Sequence, residues 1–193
     1  MIAVVVPIAA AAVSPLLAWR EPVYILAGFA GIFGMTLLLV QPLLAAGELP
    51  GLSVVASRRC HRGVGVVLVL AVLIHVAALW ITSPPDVIDA LSFASPTQFS
   101  AWGVIAMWAV FATALLAAVR RRLHLRLWAW RTAHTALGAV IVVGTVVHAV
   151  LIDGTMEVIS KVALSVLVVA ATAKVILDMI GAANRRRSKG TFD

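Results

Sequence analysis

Four of the five histidines in this chain of 193 residues follow a pattern. His61 and His75 are 14 residues apart, and so are His134 and His148. At about 100° per residue, 14 steps stop roughly 40° short of four full turns, so on a helix each pair shares one face, its members about 21 Å apart along the axis. His61 and His75 lie in an apolar run at about 60–82, His134 and His148 in another at about 128–151, with one further run between them. The two runs therefore cross a bilayer in the same direction, which puts His61 level with His134 and His75 level with His148. Two opposed imidazoles at each of two depths are what a pair of bis-histidine b-type haems requires, because haem iron takes axial nitrogen ligands on both faces of the ring.

The small residues match as well. Each run reads His-x3-Gly-x5-small-x3-His: His61, Gly65, Ala71 and His75 in one, His134, Gly138, Gly144 and His148 in the other. Each small residue sits one helical turn from a histidine, toward the membrane centre, where a flat macrocycle against the helix needs a missing side chain. On that reading Gly65, Ala71, Gly138 and Gly144 line the cofactor. The competing uses are histidines bonding between helices, small residues serving helix packing, and a histidine proton relay. None of these requires equal spacing and matched depth. Zinc would want Cys or carboxylate ligands at these levels, and no Cys-x-x-Cys-His is present for covalent haem. His124 reads as a solvent-facing loop residue. Cys60, beside His61 but about 100° round the helix, reads as structural. Lys174 and Asp178, four apart, read as a neutralising pair, with a proton path as the sharper alternative.

The elements that carry these residues follow from composition. Hydrophobic residues make up 63% of the chain and charged ones 12%, against about half and a quarter in soluble domains. Apolar runs lie at about 2–19, 23–46, 60–82, 98–119, 128–151 and 158–182. Each is too long for a barrel strand, and only helices or closed barrels satisfy the backbone in lipid. The expectation is an all-α polytopic membrane protein, a six-helix bundle forming one transmembrane haem-binding domain over 1–193. The run at 2–19, interrupted by Pro7 and Pro15, is its weakest member. No basic residue precedes it, which argues against a secretory signal. A short surface helix around Val87–Ser92 is expected inside the Ser83–Ser100 loop.

The net charge of +7 does not signal nucleic acid, because the basic residues sit in three juxtamembrane clusters: Arg58, Arg59 and Arg62; Arg120, Arg121, Arg122, Arg126 and Arg131; Arg185, Arg186, Arg187 and Lys189. All three fall on one side, which the positive-inside rule makes cytoplasmic; with six spans both termini are cytoplasmic. Location in the cell's inner (plasma) membrane follows. Of the arginines near the inner histidines, Arg58, Arg62 and Arg131 are candidates to pair with a haem propionate. No Gly-rich phosphate-binding fingerprint occurs, so any flavin would come through a partner.

These residues resemble a known family. Six spans with histidine pairs on the third and fifth are similar to the ferric reductase-like transmembrane domain, which includes ferric reductases, the membrane part of NADPH oxidases and the haem subunit of the periplasmic methionine sulfoxide reductase system. The resemblance is clearest from Arg58-Arg59-Cys60-His61-Arg62-Gly63 to His75 and from Trp130-Arg131-Thr132-Ala133-His134 to His148. It covers about 24–182 by topology, but its specific content is confined to the two histidine-bearing runs. It implies that the four histidines ligate two stacked haems passing electrons from the cytoplasmic to the outer side. The donor would be a cytoplasmic flavin reductase or membrane quinol; the acceptor would be a ferric chelate, oxygen or a periplasmic redox protein. The chain lacks the flavin and nicotinamide domain of the larger members and keeps His61, which the methionine sulfoxide reductase subunit lacks. The alternatives are a haem b anchor subunit feeding a periplasmic reductase, and a proton-coupled transporter. No catalytic side chain is expected.

Overall fold

The computed structural model describes residues 2–189, and the side chains of these except residues 2–4, 16 and 186–189. The tail residues Arg186, Arg187 and Lys189 therefore enter only as helix backbone, and Met1 and residues 190–193 lie outside the described residues. Among the described residues there are seven α-helices and no strand: α1 (Ile2–Ala12), α2 (Pro22–Ala46), α3 (Val54–Thr82), α4 (Pro84–Leu91), α5 (Gln98–Val119), α6 (Leu127–Leu151) and α7 (Val158–Lys189).

Five of them, α2, α3, α5, α6 and α7, are long and apolar enough to cross a membrane. Their mean hydropathies run from 1.9 to 2.8, yet 39% or less of each apolar window is buried. Val66, Leu70, Ile81, Leu115, Val166 and Leu177 point outward. In water such a surface would be untenable; in lipid tails it is solvated. The chain is a multi-pass helical membrane protein.

Among the described residues five helices of that length are found where six spans were expected. The run at 2–19 breaks after Ala12 into a 3-10 turn at Pro15–Leu17, because Pro15 brings no backbone N–H to continue the ladder. At about 1.5 Å per residue, α1 is about 16 Å long, half a hydrocarbon core. It packs against α2 and α7 through Ala11.

Local signals set the other boundaries. Pro22 occupies the first turn of α2, where a missing N–H costs nothing. At the other end Gly47 adopts φ 75°, and the Gly47 and Glu48 amides donate to Leu44 and Leu43 carbonyls, a Schellman ending. Ser53 caps α3 by accepting from the Ala56 amide at 3.2 Å. Helix α3 thus starts six residues before the apolar run, and Arg58, Arg59 and Arg62 lie on its exposed opening turns rather than in a loop. The surface helix α4 begins at Pro84, three residues earlier than expected, with both prolines in its first turn.

The long helices close a ring. Helix α3 packs on α2, α2 on α7, α7 on α6, α6 on α5, and α5 on α3. Helices α3 and α6 barely touch; they face each other across the interior. Halfway between the histidine levels, Leu68 and Ile141 join Met35, Leu38, Val110 and Val168 in the buried core.

Candidate functional site

The ring brings the four histidines together in two pairs. The His61 and His134 rings have centroids 6.1 Å apart, and the His75 and His148 rings 6.4 Å apart. An imidazole nitrogen lies about 1.15 Å from the ring centre for bonds of about 1.35 Å, and its bond to a metal ion is about 2.0 Å. Two imidazoles on opposite sides of one ion therefore put their centres about 6.3 Å apart. Both pairs are at that spacing. The interplanar angles of 69° and 86° are compatible with it, since either ring can rotate about the axis through the two nitrogens.

The ring nitrogens are sorted for such a role. His75 donates from Nδ1 to the Ala27 carbonyl of α2 at 2.7 Å, and His148 from Nδ1 to the Phe99 carbonyl of α5 at 2.8 Å. The bonds of His75 and His148 fix the tautomer and leave Nε2 free to ligate, the usual support for a metal-bound imidazole. His61 Nδ1 lies 3.2 Å from the Gln41 carbonyl and also against the Gln41 side-chain amide, which can donate to it. His134 differs: its Nδ1 is buried with no partner. Its ring instead stacks on Trp130 at 4.8 Å and 26°, and Trp130 in turn lies under the Arg120 guanidinium at 4.9 Å.

A recurring local device makes room for these rings. One turn after Ala27 comes Gly31, and one turn after Phe99 comes Gly103. A Cβ at Gly31 would stand 3.2 Å from His75 Nδ1, and one at Gly103 only 2.7 Å from His148 Nδ1. Glycine at the fourth residue beyond the accepting carbonyl lets the imidazole reach it. Sequence reasoning missed both glycines; the available signal was the Gly28-x2-Gly31-x2-Gly34 repeat on α2.

The small residues beside the ligands divide. A Cβ at Gly144 would meet the Trp102 carbonyl at 3.0 Å and the Ala106 Cβ at 3.1 Å, and Ala71 is buried against Gly34. These two pack at the α5–α6 and α2–α3 contacts. A Cβ at Gly65 would approach the Gln41 side-chain amide at 3.3 Å. Only Gly138 faces open space, with nothing within 4 Å.

Around the outer pair lies a cavity of about 870 Å³, lined by His75, His148, Gly31, Gly103, Met35 and Met107 and reaching the exposed Glu21, Asp86 and Asp153. That volume is within the range of cofactor pockets, about 300–1,000 Å³. Neither His61 nor His134 borders it. Among the described residues no group of three or more His, Cys, Asp or Glu could hold a metal ion. Two imidazoles fall short of the four ligands of a bare zinc ion, but they suffice for a metal that brings a macrocycle of four nitrogens.

The remaining candidates are peripheral. Arg58, Arg62 and Arg131 are exposed and form no ion pair among the described residues. Cys60 is exposed and free, and His124 sits in an exposed turn at φ 47°. Lys174 pairs with Asp178 at 2.9 Å, and also with Glu48 at 2.6 Å, outside the histidine site.

The fold and site define a class: a helical multi-pass membrane protein holding two histidine pairs face to face between its spans. No family profile, no curated protein and no solved structure matches this chain.

Proposed function

We propose that the protein is a transmembrane electron-transfer protein that binds two b-type haems, one between His61 and His134 and one between His75 and His148. The observation that carries this reading is the ring spacing of 6.1 and 6.4 Å, which a shared axial metal explains and a direct histidine–histidine hydrogen bond does not. The bound group supplies one-electron chemistry at iron. The chain's own residues hold and orient it. His75 and His148 are aimed by their carbonyl bonds, and Leu68, Ile141 and the surrounding core keep water from the layer between the levels. A proton relay is less apt, since Nδ1 of both outer rings is tied to a carbonyl that cannot pass a proton on.

The basic ends of α3, α6 and α7 face the cytoplasm in this reading, and the inner membrane is the location. That places the C-terminal end of α7 inside. Electrons enter at the His61 level from a flavin reductase or quinol and leave at the His75 level to a ferric chelate, oxygen or a periplasmic redox protein. This is the activity expected of a ferric reductase-like membrane domain.

The test is vectorial. Vesicles containing the full chain, loaded with a membrane-impermeant reductant, should reduce an external ferric chelate, and vesicles with His75→Ala should not. Equal rates with and without the chain would overturn the proposal. The orientation has its own check: impermeant labelling of intact cells should modify a tag in the Ser83–Ser100 loop and spare one between Arg120 and Arg131.

A further inference from the structure

Lys161 is the one ionisable residue among the buried polar side chains described, only 5% exposed. It stands in the first turn of α7 and lines the cavity that holds His75 and His148. Its Nζ donates to the Ile152 carbonyl at 2.8 Å. No ion pair joins Lys161 to a carboxylate within 4 Å among the described residues. One neutral acceptor leaves two ammonium N–H groups and a full charge uncompensated, and buried charges are paired or bind a counter-ion. The helix does not account for a cation here either, because the N-terminal turn is the positive end of its dipole. Nor is the side chain loosely placed. The segment above it is pinned, with Thr155 pressed against Gly28 and Met156 in the core.

We propose that Lys161 is the anion-binding residue of the outer cavity, and that its partner is a propionate carboxylate of the tetrapyrrole held by His75 and His148. This rests on the haem reading above. The cavity is graded to suit an amphipathic ring. Its deep wall is apolar, with Met35, Leu38, Leu68 and Val110, while Lys161 and the serine hydroxyls line its polar part and Arg20, Glu21, Asp86 and Asp153 its mouth. A carboxylate edge turned toward Lys161 leaves the rest of the macrocycle among apolar side chains. It also supplies the close negative charge that Glu21, Asp86 and Asp153, at the exposed mouth of the cavity and not paired with Lys161, do not.

The test uses the full chain in the His61→Ala background, which isolates the outer site, reconstituted with haem or with haem dimethyl ester. The free diacid should bind about tenfold more tightly than the ester, as a charge-assisted contact demands. Lys161→Gln keeps a donor for the Ile152 carbonyl without the charge and should remove the preference; Lys161→Met, which loses both, should remove it equally. Three results would overturn the proposal: no preference in the unsubstituted Lys161 protein, a preference that survives in the Gln variant, or an unchanged preference lowered only by added citrate, which would make an outer substrate's carboxylate the partner. Absence of a low-spin spectrum with either ring would remove the haem reading itself, a distinct failure from equal binding of both rings.

Discussion

The outer and inner histidine levels are built from the same parts and finished differently. The α2–α3 and α5–α6 hairpins repeat one another: 73 residues separate His61 from His134 and His75 from His148, and 72 separate Ala27 from Phe99 and Gly31 from Gly103. At the outer level both corners keep the whole device, a carbonyl accepting at 2.7 or 2.8 Å with glycine one turn beyond. At the inner level His61 has a longer bond, 3.2 Å, to Gln41, with Ala45 one turn on. The fourth corner has lost it. The residue 72 after Gln41 is Thr113, whose hydroxyl donates to the Ala109 carbonyl, and His134 Nδ1 has no partner. An aromatic stack on Trp130 replaces it. The outer site is aimed by short directional bonds and enclosed by a cavity. The inner site depends on softer contacts at the basic end.

The largest way to separate the levels is to remove a ligand. His75→Ala or His148→Ala should abolish the outer haem and leave the inner one, halving the haem-to-protein ratio; His61→Ala or His134→Ala should do the reverse. Low-spin signals that vanish together in every variant would mean the two sites are not independent.

Next in size is the glycine contrast. Gly103→Ala puts a methyl group 2.7 Å from His148 Nδ1, and overpacking of this kind costs about 1–3 kcal/mol, about 5- to 150-fold in haem retention. Spectral titration should show that loss at the outer site alone. Gly31→Ala, with its 3.2 Å approach, should show the same loss in milder form. Gly138→Leu enters open space beside His134 and should deplete only the inner haem. Gly144→Leu should instead lower the yield of folded protein and both haems together, because it drives α5 from α6 at Trp102 and Ala106. Selective loss of the outer haem there would restore Gly144 as a cofactor contact.

These contrasts also mark what the sequence could and could not say. The pairing of His61 with His134 and His75 with His148 was readable because a 14-residue interval fixes face and depth on each helix without any knowledge of neighbours. The packing partners of Gly144 and Ala71 were not, since the face of a small residue is visible in sequence but its opposite number is not. Gly31 and Gly103 were hidden for a related reason: the groups they expose are backbone carbonyls, which every residue carries. In the run at 2–19 the break at Pro15 was legible, but not that the helix before it would stop at Ala12. Lys161 does not stand out in the run 158–182, because only the fold buries it. That most of the basic residues gather at one end was legible throughout, since charge placement needs only the order of the spans.

A smaller effect should come from Trp130→Ala. Losing the stack beneath His134 removes about 0.5–1.5 kcal/mol, about two- to twelvefold in affinity, confined to the inner haem. An equal weakening of the outer haem would show that the levels share their support.

The most direct measurement is the optical spectrum and haem-to-protein ratio of the purified full chain, alongside the four single histidine-to-alanine variants. Two b-type haems per chain with low-spin, six-coordinate spectra are expected, falling to one in each variant. A chain with no Soret band, or one whose haem content is unchanged when any of His61, His75, His134 or His148 is removed, would contradict the paired-histidine sites.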